Sequence, residues 1–280
     1  MEITWLCPYW GQHPSEAAAF TDKALKAGYG GIEIDLPADK KFRAGLLSEL
    51  EIITEKNPDF VFVAQQVLPS AKEKPAAYIG RMLDHLQDIA LLQPDFINAH
   101  TGKDFFSFDD NCRVIDAVFN FSQQTGIRVL HETHRGRFSF HLAGLLPYLQ
   151  QFPEIELTGD FSHFCVVSES LLEDQQELLE TITPHIAHLH ARVAFAQAPQ
   201  VNDPMAPEWE TTRETYIHWW EQVIRYRKLK GDNRFTITPE FGPWPYMPAL
   251  PFTQQPIGNQ WEINCRMKDF LGERFKKDLQ

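Results

Sequence analysis

Cysteine is scarce in this sequence, and no two cysteines are close together. Cys7, Cys112, Cys165 and Cys265 are spread over 280 residues, and none belongs to a CxxC pair. A zinc knuckle or a dithiol redox centre needs paired cysteines, so neither is expected. We expect four reduced and mostly buried thiols.

Long apolar segments and a targeting signal are also missing. No run of about 18 apolar residues occurs, as a membrane-spanning helix would need. The first ten residues, MEITWLCPYW, lack the basic region and following apolar stretch of a secretory signal. A cytoplasmic protein without membrane contact is therefore expected.

Positive charge is in short supply. Lysine and arginine number 26 against 38 aspartates and glutamates, which gives a net charge of -12. Such a charge repels a nucleic-acid backbone and an anionic membrane at long range. We expect no nucleic-acid partner, and a small neutral ligand fits the charge better.

The sequence instead alternates short strand-like runs with longer segments of helical period, eight times in succession. This alternation is typical of βα units, and eight units predict a (β/α)8 TIM barrel that forms one domain over residues 1–280. An open dinucleotide-binding sheet is disfavoured because CPYWGQHPS, after the first strand, lacks the GxGxxG spacing. Ser15 is predicted to cap the first helix. The predicted strands cover residues 3–8, 30–35, 60–65, 96–100, 128–132, 155–160, 186–192 and 234–240. The predicted helices cover residues 15–27, 42–57, 74–92, 109–125, 139–151, 171–182, 209–229 and 260–277.

Polar residues concentrate at the carboxyl ends of the predicted strands. In barrels of this kind the interior is filled with packed side chains, so reactive groups belong at the open carboxyl face. Six of the eleven histidines fall at these positions. The strand-end residues are Glu33, Asp35, His100, His131, Glu132, His134, Asp160, His163, His188, His190, Arg192 and Glu240.

Four of these residues predict one divalent metal site. Glu132, Asp160, His190 and Glu240 come from the last four strands, and neighbouring strands lie about 4.8 Å apart, so side chains at one height can converge. Three carboxylates and one imidazole suit a single divalent ion, with Mn²⁺ preferred and Mg²⁺, Co²⁺ or Zn²⁺ as alternatives. Such an ion would also relieve the repulsion between the carboxylates. His188 shares the strand face of His190 and is an alternative as a deeper histidine.

The motifs ETHRGR, GDFSH, HLHAR and PEFG follow or end strands five to eight. Over nearly the whole chain, this pattern resembles the xylose isomerase-like TIM barrels, a superfamily of sugar isomerases and epimerases that also contains the family 2 AP endonucleases. The resemblance implies that Glu132 and Glu240 bind the metal and transfer the proton. It also implies that the aspartate and histidine named above complete the metal shell, and that His163 and Arg192 contact substrate oxygens.

The sequence and the resemblance together favour a metal-dependent isomerase or epimerase of a ketose or related polyol-derived ketone. Proton transfer between Glu132 and Glu240 would pass through an enediolate that the metal stabilises. His100, Trp10 and Trp244 are further expected substrate contacts, the two tryptophans through apolar ring faces.

Three alternatives stay open. A keto-inositol dehydratase begins with the same proton abstraction. Part of the pattern resembles the AP endonucleases, which bind a cluster of three metal ions. However, strand three ends in Gln65 and Gln66 and no DxH motif follows strand seven, so a three-metal cluster is not expected here. A non-catalytic sugar-binding barrel would keep the metal without turnover.

Two further properties are also left open. Arg135 and Arg137 raise the question of a phosphorylated substrate, but no glycine-rich cradle follows strands seven and eight, so a substrate without phosphate is preferred. The aromatic residues of segment 209–229 predict a helix packed on the barrel, and their contact with a second copy in a homo-oligomer is an open option.

Overall fold

A computed structural model describes residues 1–12 and 16–279, and eight parallel strands close a barrel in chain order. This confirms the predicted (β/α)8 TIM barrel; Ser15, the predicted cap, lies outside the described residues. The strands are β1 (Glu2–Pro8), β2 (Gly31–Asp35), β3 (Val61–Gln66), β4 (Phe96–Ala99), β5 (Arg128–Glu132), β6 (Leu157–Gly159), β7 (Ile186–His190) and β8 (Arg234–Thr238). The helices are α1 (Ala17–Lys26), α2 (Lys40–Lys56), α3 (Pro75–Ala90), α4 (Phe108–Thr125), α5 (Leu142–Gln151), α6 (Phe161–Ser168), α7 (Gln176–Ile182), α8 (Glu210–Lys230) and α9 (Gln260–Leu279).

The segment after β6 differs most from the sequence prediction. One helix was expected over 171–182, but α6 begins directly after Asp160, and α7 follows it. The Asp160 side chain accepts a hydrogen bond from the Ser162 backbone nitrogen at 2.9 Å and so caps α6. Phe161, Phe164 and Cys165 of this short helix are buried, which fits a helical repeat rather than a continued strand.

The helices pack their apolar faces on the outside of the barrel. In α3 the buried residues Tyr78, Met82, Leu86 and Ile89 recur every three or four positions, which is the repeat of a helix with one buried face. In α8 the aromatic residues Tyr216, Trp219 and Trp220 are buried in the same way. Among the described residues, no helix combines the length and apolarity needed to cross a bilayer.

The barrel interior changes character along its axis. Its lower part is an apolar cluster of Leu6, Val61, Val63, Phe96 and Leu130. Higher up, toward the carboxyl ends, the interior side chains are polar and buried. They include Glu33, Asn98, Glu132, Thr158, His188, Thr236 and Thr238. The fold therefore places a set of buried polar groups near the carboxyl ends of the strands, where the long loops begin.

Two long loops follow β7 and β8 at that face. They are residues 191–206, after β7, and residues 239–259, after β8. Gln200 joins them, because its Oε1 accepts from the Gly242 backbone nitrogen at 2.6 Å and its Nε2 donates to the Gly242 carbonyl at 3.2 Å. A side chain at position 242 would collide with the Trp10 ring, since a Cβ there would lie 2.1 Å from the ring. The glycine thus lets Trp10 pack flat on the second loop.

Candidate metal and substrate site

The structure brings the four predicted metal-binding side chains together. Glu132 ends β5, Asp160 follows β6, His190 ends β7 and Glu240 lies two residues beyond β8. Each offers one nitrogen or oxygen atom, and these four atoms all lie within 4.8 Å of one another. All four residues are at most 5% exposed. Three carboxylates this close in a buried site need a compensating positive charge.

His190 lies between carboxylates on both sides of its ring. Its Nδ1 is 2.9 Å from Glu240 Oε2 and 3.7 Å from Glu132 Oε1, and its Nε2 is 3.0 Å from Glu33 Oε1. Nδ1 is buried and makes no well-directed hydrogen bond within the described chain. Burial disfavours the charged imidazolium, yet the three glutamates hold the pKa of His190 well above its ordinary value. This nitrogen therefore points at the carboxylate cluster with no neutral hydrogen-bond partner of its own.

Glu33 of β2 lies one layer below the four side chains and holds the far side of His190. Its Oε1 accepts from Asn98 Nδ2 at 3.1 Å, and its Oε2 is 3.2 Å from His188 Nε2. His188 in turn lies 2.9 Å from the Thr236 carbonyl through Nδ1. Burial opposes ionisation of Glu33, but His190 and His188 hold its pKa well below the usual range. Glu33 is thus an ionised carboxylate that fixes the orientation of the His190 ring, as carboxylates behind metal-bound histidines do.

Two amide side chains tie this lower layer to the upper carboxylates. Asn98 Nδ2 donates to Glu132 Oε2 at 2.8 Å as well as to Glu33. Gln65 Nε2 donates to Glu33 Oε1 and to Glu240 Oε1, both at 3.2 Å. Both glutamates that are expected to move a proton are therefore held by neutral donors from β3 and β4.

The supporting residues were not assigned a role from the sequence. The sequence pattern marks Glu33 only as a strand-end residue and Gln65 only as the end of strand three. It does not mark Asn98 as a strand-end residue. A usable signal exists for two of them. Glu33 lies between the buried residues Ile32 and Ile34 and so alternates onto the inner face of the strand, and Asn98 has the same relation to its strand neighbours.

Arg192 is a buried cation at the edge of the cluster. It is 1% exposed, forms an ion pair with Asp160 Oδ2 through Nη2, and lies 3.5 Å from Glu240 Oε2 through Nη1. Burial disfavours its charge, but Asp160 and Glu240 raise the pKa of its guanidinium. Burial raises the pKa of the Asp160 carboxyl, and Arg192 and His190 oppose that rise.

A cavity of about 300 Å³ opens above the cluster. Its volume suits a monosaccharide-sized ligand. The wall combines acidic groups, imidazoles and aromatic rings. The lining residues are Tyr9, Trp10, Asp35, Gln65, Val67, His100, Glu132, His134, Arg192, Glu240 and Tyr246.

Three of the five predicted substrate contacts, Trp10, His100 and Arg192, line this cavity. His163 does not line it. The imidazole of His163 is fully buried, with Nε2 at 3.1 Å from Arg192 Nη2 and 3.5 Å from Asp160 Oδ2. Because Asp160 caps α6, His163 falls in the first turn of that helix and lies behind the arginine, where it contacts Arg192 rather than the cavity.

The expected position of Trp244 is corrected by the structure. Trp244 is 64% exposed and lines a separate shallow groove with Pro243 and Met247. The chain turns here, with the Tyr246 nitrogen donating to the Pro243 carbonyl at 2.9 Å. This turn directs Tyr246 into the cavity, where its ring lies 4.7 Å from the Arg192 guanidinium.

Three imidazoles lie side by side, and two of them, His100 and His134, line the cavity. The His134 ring lies 4.2 Å from His100 and 3.9 Å from His163. His100 Nε2 is 3.0 Å from Glu132 Oε2. Burial, with the nearby His100 charge, lowers the pKa of His134 well below its usual value. A neutral His134 beside Glu132 can hydrogen bond to a ligand without adding charge.

Within residues 1–12 and 16–279, two other groups have metal-ligand spacing, and both share a residue with the first. They are His100, Glu132 and His134, and Glu33, His188 and His190. In the second group the Glu33 oxygens already accept from Asn98, Gln65 and Thr238. The four-residue group offers the most carboxylate charge to an ion and lies directly beneath the cavity.

No protein-family model and no curated relative matches this sequence. Three solved structures share its fold along most of the chain. A probable 3-DHS dehydratase, AsbF, involved in petrobactin synthesis in Bacillus anthracis, is 15% identical with a TM-score of 0.63, covering 97% of this chain and 99% of its own. The 3-keto-D-glucoside 4-epimerase YcjR of E. coli is 13% identical with a TM-score of 0.54, covering 87% and 94%.

The third is a xylose isomerase-like TIM barrel protein from Mycobacterium smegmatis in complex with magnesium. It is 10% identical with a TM-score of 0.57, covering 86% of this chain and 91% of its own. At these identities the likeness concerns the fold. It agrees with the resemblance that the four strand-end motifs carry: this chain has the fold of the xylose isomerase-like TIM barrels.

Proposed function

We propose that this protein is a divalent-metal-dependent isomerase or epimerase of a ketose or related polyol-derived ketone. The observation that carries the proposal is the convergence of Glu132, Asp160, His190 and Glu240 at the floor of a sugar-sized cavity. The donor set of three carboxylates and one imidazole fits a hard to borderline ion, with Mn²⁺ preferred and Mg²⁺, Co²⁺ or Zn²⁺ as alternatives. The inward-facing His190 Nδ1 without a directed hydrogen bond supports the fit.

A divalent ion at this site would act as a Lewis acid and lower the cost of removing a proton from the carbon beside a ketone. The protein supplies the acid and base groups. Glu132 and Glu240 both line the cavity, and both contact His190, so they approach a bound ligand from the β5 and β8 sides. One, as a carboxylate, would remove the proton, and the other, in its protonated form, would donate a different proton to the adjacent carbon or to the opposite face.

The surrounding residues hold these two glutamates in place. The charge of His100 and His190 holds the pKa of Glu132 well below its usual value despite burial, so Glu132 is a carboxylate in the resting protein. Gln65 fixes one oxygen of Glu240 by a hydrogen bond. Trp10 and Tyr246 pack edge to face at 4.9 Å and line the cavity, where their rings would exclude water from a bound ligand.

The neighbours with this fold support a small sugar-like substrate. One is by name an epimerase of a 3-keto-D-glucoside and another a probable 3-DHS dehydratase. Both chemistries fit a site built around proton removal. A dehydratase acting on a keto-inositol is therefore the second candidate, and the product of the reaction distinguishes it from an epimerase.

The proposal is tested by incubating the protein with Mn²⁺ and a panel of free ketoses and inososes in D₂O. We expect deuterium to enter one substrate at carbon and Glu240→Gln to abolish this exchange while the fold is retained. Asp35→Asn is the matched control, because Asp35 lines the same cavity outside the metal-ligand groups. Exchange that survives Glu240→Gln would contradict the proposed role, and loss of water from an inosose would favour the dehydratase.

A further inference from the structure

Arg192 and a divalent ion require the same carboxylate oxygens. The guanidinium is paired with Asp160 Oδ2 and lies 3.5 Å from Glu240 Oε2, and both residues belong to the proposed metal shell. Arg192 is 1% exposed, so water screens its charge only weakly. The positive charge that the cluster needs is therefore partly supplied by the chain itself.

Asp160 has no spare oxygen with which to avoid this conflict. Its Oδ1 accepts from the Ser162 backbone nitrogen at 2.9 Å as the cap of α6. Its other oxygen, Oδ2, carries the ion pair with Arg192. Ligation through Oδ1 would weaken the helix-cap hydrogen bond that this oxygen accepts, and ligation through Oδ2 would bring two cations to one oxygen, where they repel each other.

Two aromatic rings already lie beside the guanidinium while it is paired with Asp160. The Arg192 guanidinium lies 4.7 Å from the Tyr246 ring centre and 5.8 Å from the Trp10 ring centre, and both rings line the cavity. The face of an aromatic ring stabilises a cation once its carboxylate partner is gone. His163 Nε2 and Ser162 Oγ, at 3.1 and 3.2 Å, offer acceptors that keep the arginine near the cavity wall.

We propose that Arg192 is the counter-ion of the metal-free site and that a divalent ion displaces it from Asp160. This inference rests on the proposed metal site. The freed guanidinium, which already lines the cavity, then binds an oxygen of the substrate. Because the ion frees Arg192, ion and substrate strengthen each other's binding, and the coupling is reciprocal.

The test compares Mn²⁺ binding by calorimetry in the chelator-stripped wild-type chain and in R192Q and R192M. Both variants remove the competing charge, and R192M keeps the apolar part of the side chain. If only one of the two variants folds, that variant is enough for the test. We expect Mn²⁺ to bind at least about tenfold more tightly to either variant than to the wild type. We also expect the metal-free variants to unfold at lower denaturant concentration than the wild type, because their carboxylates lose a buried partner.

R135Q is the matched control for these variants. Arg135 lies over the same Tyr246 ring, at 5.0 Å, but forms no ion pair with Asp160 or Glu240. Its removal is expected to leave Mn²⁺ affinity unchanged.

Equal or weaker Mn²⁺ binding by R192Q and R192M, with binding by the wild type, overturns the competition and makes Arg192 a residue that positions Asp160 for the ion. No binding by the wild type but binding by a variant supports the competition in its strongest form. No binding by any of these proteins contradicts the proposed metal site itself, and with it this inference.

Discussion

The two halves of the barrel contribute different chemistry to one site. Strands β5–β8 carry the four converging side chains of the proposed metal site. Strands β1–β4 carry Glu33, Gln65, Asn98 and His100, each of which contacts one or more of those four. The second half thus presents the reactive groups, and the first half fixes them. The difference indicates that precise placement of charge here depends on residues that need not touch an ion or a substrate.

The largest expected effect comes from the second half. Glu132→Gln and Glu240→Gln are each expected to lower the rate of deuterium exchange by about 10²–10⁴-fold, because each removes a proton-transfer group and a metal donor. Exchange is followed by NMR, and circular dichroism checks the fold. Asp35→Asn, from the first half, is expected to stay within a few-fold of wild type. A comparable loss in Asp35→Asn would erase the division between the halves.

The next effect tests the carboxylate of the first half. Glu33→Gln keeps the size of the side chain but removes the charge that faces His190 Nε2 and His188. We expect Mn²⁺ affinity to fall by about 10–100-fold, the usual cost of losing a partner behind a metal-bound histidine. Calorimetry on the chelator-stripped variant measures this. Unchanged affinity would mean that Glu33 serves only the packing of the barrel.

A smaller effect is expected from the amide of β4. Asn98→Leu removes the donor that joins Glu33 to Glu132. Since two buried carboxylates lose a hydrogen bond, we expect the free energy of unfolding to fall by about 1–3 kcal/mol, measured by chemical denaturation.

Gln66→Leu is the control for that substitution. Gln66 is fully buried, and neither amide atom has a hydrogen-bond partner in the part of the chain that the structure describes. We expect Gln66→Leu to be neutral or stabilising, because it removes an unsatisfied polar group. If Asn98→Leu and Gln66→Leu lower the free energy of unfolding equally, side-chain volume rather than hydrogen bonding determines the effect of substitutions in the first half of the barrel.

A pH-dependent effect of similar size separates the two faces of β5. His131 points away from the barrel axis and packs against Phe138, and burial lowers its pKa to about 4. The unfolded chain, with an ordinary histidine pKa near 6.5, binds more protons between about pH 4 and pH 6.5. Stability is therefore expected to rise with pH across this window and to be lost as the pH falls toward 4, by on the order of 2–3 kcal/mol.

Denaturation at pH 7 and pH 4.5 measures this dependence. In His131→Gln, the change in the free energy of unfolding between these two pH values should be smaller than in the wild type. A wild-type dependence that persists in full in the variant would assign it to other groups.

The sequence indicates much of this architecture, but unevenly. The eight-fold alternation of strand and helix patterns predicts the barrel because each unit is local. The residues of β5–β8 are recognisable because they stand in motifs at strand ends. Asn98 is marked only by its alternation onto the inner face of its strand, and Gln65 stands in no motif that marks it as functional.

Other features depend on packing that a single sequence does not reveal. The start of α6 at Phe161 follows from the capping role of Asp160, which competes with its reading as the end of a strand. His163 is consequently buried behind Arg192. The exposure of Trp244 depends on the turn between residues 243 and 246, which hydrophobicity does not predict.

The central claim is that Glu132, Asp160, His190 and Glu240 share one divalent ion. The most direct measurement is a crystal structure of the protein with Mn²⁺, read from the anomalous scattering of the metal. We expect one strong peak per chain, with one atom from each of the four residues at about 2.0–2.2 Å. No peak at saturating Mn²⁺, or a peak held by His100 and His134 instead, would contradict the account.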